Sequence, residues 1–473
     1  MHQLDLEQIL CQNYSRMRNR VILLTITLAI WAAFSIVDDV LSGPQFLILL
    51  AGAVGIMIVH SAWLMAAQGR WHRKAQRARM LSTTQGERAF CPVVHDEPRW
   101  EPWVDIFIAA KNERRVIEQT VRSFFKLNYK KFDVWVIDDA STDDMPEILA
   151  RLQEEFPRLH VLQRSSSSFP GKSAALNDAL PLSQGEVIAV FDADAYVDPE
   201  FLNLTLPVLQ PEGIGAVQAQ KRIFEHQTGF LCNCQASEYA LDTYFQMGRD
   251  IIGGAVELRG NGELMKREAL VDVGGWNNKS ITDDLDLSMR LLINNWDVRF
   301  CPNAHVWEEG VTTLKALLRQ RRRWAEGSIQ RYLDYIFPLN SPTRLSLVER
   351  VDTFAFTVYF IVPALIFLEV VSELMSLASG MPTHGKFFGL LTLAVYSISL
   401  MNFCIAIRIY RRFSIPHAFV HSFEVSTYVY AHWVPVILQS FVKIIMGKSS
   451  TWHPTEKGRN PVRDQRIKMT TSV

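Results

Sequence analysis

Val187-Ile188-Ala189-Val190-Phe191-Asp192-Ala193-Asp194 is the stretch that decides the fold of this 473-residue chain. Its first five residues are all apolar, which is typical of a short strand buried on both faces of a sheet. Two aspartates that flank one small residue follow at once. Carboxylates placed in this way can bind one hard cation, Mg²⁺ or Mn²⁺, whose other ligands come from diphosphate oxygens. We therefore predict a metal site at Asp192 and Asp194, although such triplets also occur in ordinary loops.

Three similar strand patterns precede this one, at residues 104–110, 134–137 and 159–162. Helical patterns separate them. This regular alternation over residues 100–340 predicts an α/β domain with a doubly wound, parallel-rich sheet. In such sheets ligands bind at the carboxyl ends of the strands, so the residues that follow each strand are the candidates for a binding site.

Acidic residues follow the first two of these strands. Glu113 comes after the first strand, and Asp138 and Asp139 end the second. Because the carboxyl ends of parallel strands meet at one edge of a sheet, these carboxylates can share a pocket with Asp192. We interpret them as residues that recognise uracil and ribose of a nucleotide. The alternative is a polar turn that caps the next helix.

Two more charged groups lie at the starts of helical patterns. Lys172 can approach a phosphate as a point charge, although the segment lacks the spaced glycines of a P-loop. Thr282-Asp283-Asp284-Leu285-Asp286 opens a later helix. Thr282 suits a helix cap and acids suit a first turn, but three acids in four positions exceed what capping requires. We interpret one of these carboxylates as a general base.

Residues 312–336 form a helical pattern that contains Gln320-Arg321-Arg322-Arg323-Trp324. An apolar stripe with arginines on the other side is typical of a helix at a membrane surface. Three consecutive arginines point in different directions, so at least one is expected to face inwards. Such an arginine can bind diphosphate, and Trp324 can stack on an acceptor. The stripe consists of Leu314, Leu317, Leu318, Ala325, Ile329, Tyr332, Leu333 and Ile336.

Apolar residues make up 48% of the chain, and mean hydropathy is +0.05. They concentrate in blocks near the two ends. Residues 1–80 contain two predicted membrane spans, 21–37 and 46–67, each close to the length that crosses a bilayer core. Basic residues precede the first span and follow the second. The positive-inside rule therefore places residues 100–340 in the cytosol.

Residues 350–446 form a second membrane region, with predicted spans at 354–377 and 387–407. Residues 415–446 are apolar on average but contain two prolines and several titratable side chains. A single crossing here would place the basic tail, 447–473, outside the cell, against the positive-inside rule. We therefore predict an interfacial or re-entrant segment, or two short half-spans, followed by a cytosolic tail.

Charge and cysteine content exclude two other classes. The formal net charge is zero, so no bulk attraction to nucleic acid is expected. Of the six cysteines only Cys232 and Cys234 are close together, and no second pair completes a zinc site. We expect reduced thiols, as is usual in cytosolic domains.

Four motifs in this order resemble those of the inverting family 2 glycosyltransferases, which include the cellulose, chitin, hyaluronan and poly-N-acetylglucosamine synthases. The resemblance covers about residues 100–340 and implies a GT-A-type fold, a UDP-sugar donor and a divalent cation. The usual third motif is Thr-Glu-Asp, whereas this chain has Asp283 at the glutamate position. The resemblance aligns Asp284 with the catalytic base of the family. It also implies that Gln320, Arg323 and Trp324 belong to the nucleotide-sugar site, with Arg323 at the diphosphate. The motifs are Asp138-Asp139, Asp192-Ala193-Asp194, Thr282-Asp283-Asp284 and Gln320-Arg321-Arg322-Arg323-Trp324.

Other segments look like one branch of this family, the cyanobacterial glucosyltransferases that act on diacylglycerol. Among them are Glu257-Leu258-Arg259-Gly260-Asn261-Gly262 and Glu308-Glu309-Gly310-Val311-Thr312-Thr313. This resemblance implies UDP-glucose as donor, diacylglycerol in the lipid bilayer as acceptor and Mg²⁺ as cofactor. The residues themselves leave galactose and N-acetylglucosamine open as the sugar. A processive polysaccharide synthase, which shares all four motifs, is one alternative, and a non-enzymatic membrane scaffold is the other.

Overall fold

The structure, a computed structural model, describes residues 17–23, 25, 44–81, 100–225, 227–339, 345–380 and 385–447. Most of the predicted span 21–37 and nearly all of the basic tail lie outside these residues. The elements are α1 (Pro44–Leu81), β1 (Val104–Ala110), α2 (Ile117–Phe124), β2 (Phe132–Asp138), α3 (Met145–Glu155), β3 (Leu159–Gln163), α4 (Lys172–Ala179), β4 (Val187–Phe191), β5 (Tyr196–Val197), α5 (Phe201–Leu209), β6 (Ile214–Ile223), α6 (Phe230–Ile252), β7 (Glu263–Lys266), α7 (Arg267–Asp272), α8 (Asp283–Ile293), β8 (Asp297–Glu308), α9 (Leu314–Leu339), α10 (Leu347–Ala378), α11 (Gly385–Tyr410) and α12 (Ile415–Ile445).

Within the described ranges, eight strands form one sheet in the order β3-β2-β1-β4-β7-β6-β8-β5. β3, β2, β1 and β4 run parallel and are the four strands that the sequence predicts, so the α/β, parallel-rich fold is confirmed. β7 runs antiparallel between β4 and β6, which makes the sheet mixed. The sequence pattern misses β5 and β7 because they are very short, and β6 and β8 because charged residues interrupt their apolar runs.

Helices cover both faces of the sheet. Val104, Ile106 and Ile108 of β1 pack on one face with residues of α2 and α3, and Phe107 packs on the other with residues of α4 and α8. All four side chains are fully buried, as expected for a parallel strand covered on both faces. The parallel register brings the carboxyl ends of β1, β2 and β4 to one edge. The predicted site residues follow at that edge.

Four helices in the described part of the chain, α1, α10, α11 and α12, are long and apolar enough to cross a membrane. One precedes the α/β domain and three follow it, whereas the sequence predicts two spans before the domain and two after it. The first three overlap the predicted spans 46–67, 354–377 and 387–407. The apolar stretches are Leu50–Arg73, Leu347–Phe367, Gly389–Tyr410 and Ile415–Ile445.

α12 runs without a break from Ile415 to Ile445. The prediction of two short half-spans in this stretch is therefore wrong. Pro435 inside the helix removes one backbone hydrogen bond. Packing of α12 against α9 and α11 compensates for this loss, because neighbouring helices hold the two halves in line. Whether the helix lies along the bilayer or crosses it stays a prediction.

α9 corresponds to the helix expected at 312–336, but its arginines do not all lie at the surface. Arg322 is exposed, whereas Arg321 is 1% exposed and pairs with Glu238 of α6 at 2.6 Å. Ala325 and Ile329 of the apolar stripe pack against residues of α12. α9 is therefore enclosed between the α/β domain and the membrane helices, and its arginines contribute to that interface.

A chain of buried charges joins the α/β domain to α9 and α10. Glu257, in the loop after α6, accepts a hydrogen bond from Arg331 of α9 at 2.7 Å. Arg249 of α6 lies 3.6 Å from Glu257 and donates to Asp352 of α10 at 2.7 Å. Arg249, Glu257 and Asp352 are each at most 1% exposed. Buried charges of this kind require their partners, so the chain fixes how the membrane helices meet the domain.

We expect Asp352→Ala to lower the free energy of unfolding by about 3–5 kcal/mol, because the buried Arg249 loses its nearest partner. Thermal unfolding in detergent, followed by circular dichroism, measures the change. The matched control is Asp144→Ala, which breaks an exposed pair with Arg114 at 2.7 Å. This control should cost no more than about 1 kcal/mol. Equal losses in the two variants would contradict the role of the buried chain.

Candidate active site

A cavity of about 740 Å³ opens at the carboxyl ends of β1 and β4. Residues that are far apart in the sequence meet in its walls. All of the predicted site residues except Asp138 line it: Glu113, Asp139, Lys172, Asp192, Asp194, Asp284, Gln320, Arg323 and Trp324.

The two aspartates that end β2 have different positions. Asp138 is 3% exposed, and its carboxylate accepts the backbone N–H of Ser141 at 2.9 Å, so it shapes the turn behind the cavity wall. Asp139 lines the cavity, accepts the N–H of Gly171 at 3.1 Å and forms an ion pair with Arg164. Sequence reasoning missed Arg164. Arg164 comes one residue after β3, at the same edge of the sheet, and this position could have indicated a site residue.

Lys172 contacts the first aspartate of the Asp-x-Asp pair. Its Nζ donates to Oδ1 of Asp192 at 2.7 Å and to the carbonyl of Gly260 at 2.5 Å. Burial lowers the pKa of Lys172, but the carboxylates of Asp192, Asp283 and Glu263 outweigh burial and raise it above its usual value. The lysine is therefore charged at neutral pH and stands where an anionic ligand would meet Asp192.

The donor set suits a divalent cation that takes part of its ligands from a substrate. Among the described residues, no group of three or more His, Cys, Asp and Glu side chains could hold a metal ion by itself. The Asp192 side chain is 39% exposed and already binds one cationic group, the Lys172 ammonium. Asp194 lines the same cavity, and its Oδ2 accepts the N–H of Glu309 at 3.2 Å. Two carboxylates completed by phosphate oxygens are a usual site for Mg²⁺.

Asp284 lies in the first turn of α8. Thr282 occupies the N-cap position, but its side chain makes no capping hydrogen bond with any described residue. The Asp284 carboxylate accepts the N–H of Leu285 at 2.9 Å. Burial, and then the neighbouring Asp283 carboxylate, raise the pKa of Asp284 to about 6. A carboxylate that titrates near neutrality is better matched to removing a hydroxyl proton than an ordinary aspartate.

A glycine loop packs against this carboxylate. Gly260 has φ of +75°, and a Cβ there would lie 3.1 Å from Oδ2 of Asp284. The Gly260 N–H donates to Glu263 at 3.1 Å. Burial raises the pKa of Glu263 to about 8, so this side chain is mostly protonated at neutral pH. Glu263 was missed because it begins β7, which the sequence pattern does not reveal.

α9 contributes a cation and an aromatic ring to the cavity. Burial lowers the pKa of Arg323, an effect that Asp192 and other acids oppose, and the guanidinium stays charged at neutral pH. Arg321 stacks with its Cζ 4.2 Å from the centre of the Trp324 ring and donates to Oε1 of Gln320 at 2.9 Å. The expectation that an arginine faces inwards is confirmed twice: Arg323 lines the cavity, and Arg321 supports its aromatic wall.

Lys221 and Glu308 form a second buried ion pair that sequence reasoning missed. Lys221 Nζ lies 3.1 Å from Glu308 and 6.0 Å from the centre of the Trp324 ring. Asn261 donates to the same carboxylate at 2.8 Å. Burial lowers the pKa of Lys221, but Glu308 and Asp192 reverse the effect and raise it. Glu308 lies in one of the segments that resemble the lipid glucosyltransferases, residues 308–313. No sequence pattern pointed to Lys221 as a site residue, because its strand, β6, was not predicted.

Comparison with known proteins shows what the domain is similar to. Residues 101–327 match the family described as glycosyltransferase like family 2. The β-monoglucosyldiacylglycerol synthase of Nostoc sp. is 50% identical over 236 residues, which cover 50% of this chain and 50% of that protein. The enzyme of the same name from Synechocystis sp. is 47% identical over 236 residues, 50% of this chain and 49% of its own. The chain thus spans about half the length of the curated relatives it matches.

More distant relatives share more of the chain. The poly-β-1,6-N-acetyl-D-glucosamine synthase of Staphylococcus epidermidis is 25% identical over 383 residues, 77% of this chain and 90% of that protein. Among solved structures, the mannosyltransferase PcManGT of Pyrobaculum calidifontis, in complex with GDP-Man and Mn²⁺, aligns with a TM-score of 0.52 and 19% identity. The alignment covers 84% of this chain and all of the other. This likeness shows a shared fold.

Gly327 of α9 lies against the turn that carries Asp284. A Cβ at this position would lie 2.4 Å from Cγ2 of Thr282. We expect Gly327→Ala to push α9 away from that turn, which should cost about 1–3 kcal/mol of stability and reduce turnover. Gly55→Ala on α1, where nothing lies within 4 Å, is the matched control and should be neutral or slightly stabilising. Unchanged melting temperature and turnover in Gly327→Ala would contradict this contact.

Proposed function

We propose that this chain, whose residues 101–327 form a family 2 glycosyltransferase domain, transfers glucose from UDP-glucose to 1,2-diacylglycerol. The product is β-monoglucosyldiacylglycerol, because one displacement inverts an α-linked donor. The observation that carries the proposal is the meeting of Asp192, Lys172, Arg323 and Asp284 in one cavity. The identity of 47–50% to synthases named for this product supports the choice of donor and acceptor.

The donor is held by residues from several strand ends. Glu113 and Asp139 bind the nucleoside, and Asp138 holds the turn after β2 by accepting the N–H of Ser141. Lys172 and Arg323 contact the diphosphate, because both cations line the cavity beside the aspartates.

Asp192 and Asp194 would hold Mg²⁺, or Mn²⁺ with the same ligand chemistry. When bound, the ion stabilises negative charge on the departing diphosphate.

Asp284 acts on the acceptor. Its carboxylate takes the proton of the acceptor hydroxyl while that oxygen forms a bond to the anomeric carbon. The bond from this carbon to the UDP oxygen breaks on the opposite face, and UDP leaves with the electron pair. Trp324 stacks against the acceptor, and Gln320 steadies Arg321 beneath that ring.

The domain works on the cytosolic side of a bilayer. Arg70 and Arg73 end the first apolar helix stretch. Arg408 lies in the last turn of the third, and Arg411 and Arg412 follow it. Basic residues on both sides of the domain support this orientation. A membrane position also suits an acceptor that resides in the lipid phase.

A processive polysaccharide synthase is the second candidate. The observation that favours it is the match to poly-N-acetylglucosamine synthase, which extends over 77% of this chain at 25% identity. The higher identity to lipid glucosyltransferases within the domain favours the first candidate. The two differ in their product, a single glucolipid against a long polymer.

Purified protein in detergent with labelled UDP-glucose, diacylglycerol and Mg²⁺ is expected to form one labelled glucolipid. Thin-layer chromatography separates this lipid from polymer, which stays at the origin. EDTA should abolish the product, and Mg²⁺ or Mn²⁺ should restore it. A labelled polymer would favour the synthase, and the absence of any transfer would sink the proposal.

Asp284→Asn is expected to reduce transfer by about 10²–10⁴-fold, the usual contribution of a general base, while UDP-glucose still binds. Steady-state kinetics and isothermal titration with UDP-glucose measure the two effects. In the unaltered enzyme kcat/KM should rise with pH to a plateau above about pH 6, because the base acts only when it is deprotonated.

The control is Asp272→Asn, an exposed aspartate outside the cavity, which should keep both turnover and the pH profile. Residual activity of Asp284→Asn should lack the rise near pH 6. Near-normal turnover in that variant, or an unchanged pH profile, would show that another group takes the proton.

A further inference from the structure

The cavity extends from the charged residues at the edge of the sheet, which we call the charged chamber, to the membrane helices. Its deeper part is lined by α10, α11 and α12, all of which are apolar enough to cross a bilayer. We call this part the apolar chamber. Its lining includes Phe356, Phe360, Pro363, Phe403, Val434 and Ile437.

A polar collar separates the two chambers. The Glu238 carboxylate accepts hydrogen bonds from Arg321 at 2.6 Å, from the Trp433 indole at 3.1 Å and from the Tyr428 hydroxyl at 3.2 Å. Glu238, Arg321 and Trp433 also line the cavity. These groups come from α6, α9 and α12, so the collar lies where the α/β domain meets the membrane helices.

The few polar side chains of the apolar chamber already have partners. The Tyr359 hydroxyl donates to the carbonyl of Met57 at 2.6 Å, and the Asn402 amide N–H donates to Ser61 at 3.0 Å. Ser399 shares a hydrogen bond with Ser426 at 3.1 Å. Among the described residues of α10, α11 and α12 that line this chamber, Asn402 has a buried amide oxygen, Oδ1, without a hydrogen-bond partner.

This lining discriminates between two occupants. A sugar polymer carries several hydroxyls per residue, and each buried hydroxyl without a partner is costly. The chamber offers too few groups to satisfy them. A hydrocarbon chain needs no such partners and gains from every methylene that leaves water.

We propose that the apolar chamber seats an acyl chain of the lipid acceptor, with the glycerol hydroxyl at the collar and directed towards Asp284. This inference rests on the proposed function. It adds a binding site for the hydrocarbon part of the acceptor, continuous with the chamber that holds the donor.

The test measures how KM depends on acyl length, with soluble diacylglycerols of four to eight carbons per chain. For the unaltered protein, KM should fall by up to about fourfold for each methylene that enters the chamber. Ser399→Trp fills the chamber and is expected to flatten this dependence. UDP-glucose binding by the variant shows that it is folded.

Two controls test whether a change in the chain-length dependence comes from the side-chain volume added inside the chamber. Ser397→Trp places the same ring on the exposed side of α11, two residues away, and should keep the dependence on chain length. Ser399→Ala removes the bond to Ser426 without adding volume and should also keep it. Val429→Phe fills the chamber from α12 and serves if Ser399→Trp does not fold.

Equal dependence on chain length in Ser399→Trp, Ser397→Trp and the unaltered protein would overturn the acyl site while leaving the glucosyltransferase intact. If Ser399→Trp does not bind UDP-glucose, Val429→Phe replaces it, and its dependence of KM on chain length is compared in the same way. If the unaltered protein forms polymer, or transfers glucose to no lipid of any length, the proposed function fails first and the acyl site fails with it.

Discussion

The buried carboxylate of Glu257 is the interaction on which the arrangement of this molecule depends. Arg331 and Arg259 bind it at 2.7 and 2.8 Å, and Arg249 lies 3.6 Å away. Burial raises the pKa of Glu257, but the three guanidiniums outweigh it and hold the pKa well below its usual range. The carboxylate therefore stays ionised and requires all three partners. The three arginines come from α6, α9 and the loop before β7. One buried carboxylate therefore holds these three segments together above the edge of the sheet where the cavity opens.

The site itself is a balance between buried acids and buried cations. Lys172, Lys221 and Arg323 face Asp192, Asp284 and Glu308 across one cavity, and each of these side chains is partly or largely shielded from water. Low polarity strengthens each of these interactions. Burial also raises the pKa of Asp284, and the acidic neighbour Asp283 adds to this rise, while Arg259 and Lys172 oppose it. A site that keeps its cations charged and brings one carboxyl near neutrality is suited to binding diphosphate and accepting a proton.

Much of this could be predicted from local sequence. β1 to β4 were predicted because each is a short apolar run with a polar end, and Asp139, Lys172, Asp192 and Asp284 were predicted from their positions after strands or at helix starts. Lys221, Glu263 and Arg259 could not be predicted in the same way. The strands of Lys221 and Glu263 contain charges or are short, Arg259 lies in a loop, and the roles of all three arise from pairing with distant residues. Asp138 was assigned to the nucleoside, and its side chain instead holds a turn.

The sequence by itself determined the fold class, the order of the membrane and α/β segments, and the acids of the sheet edge, because these follow from local periodicity and the ends of strands. Only the tertiary structure decided that α12 is one helix, that Arg321 supports a ring while Arg323 faces the cavity, and that the cavity extends between the membrane helices. The reason is physical: a helical pattern shows which residues share a face, but the partner of that face is set by packing between segments hundreds of residues apart.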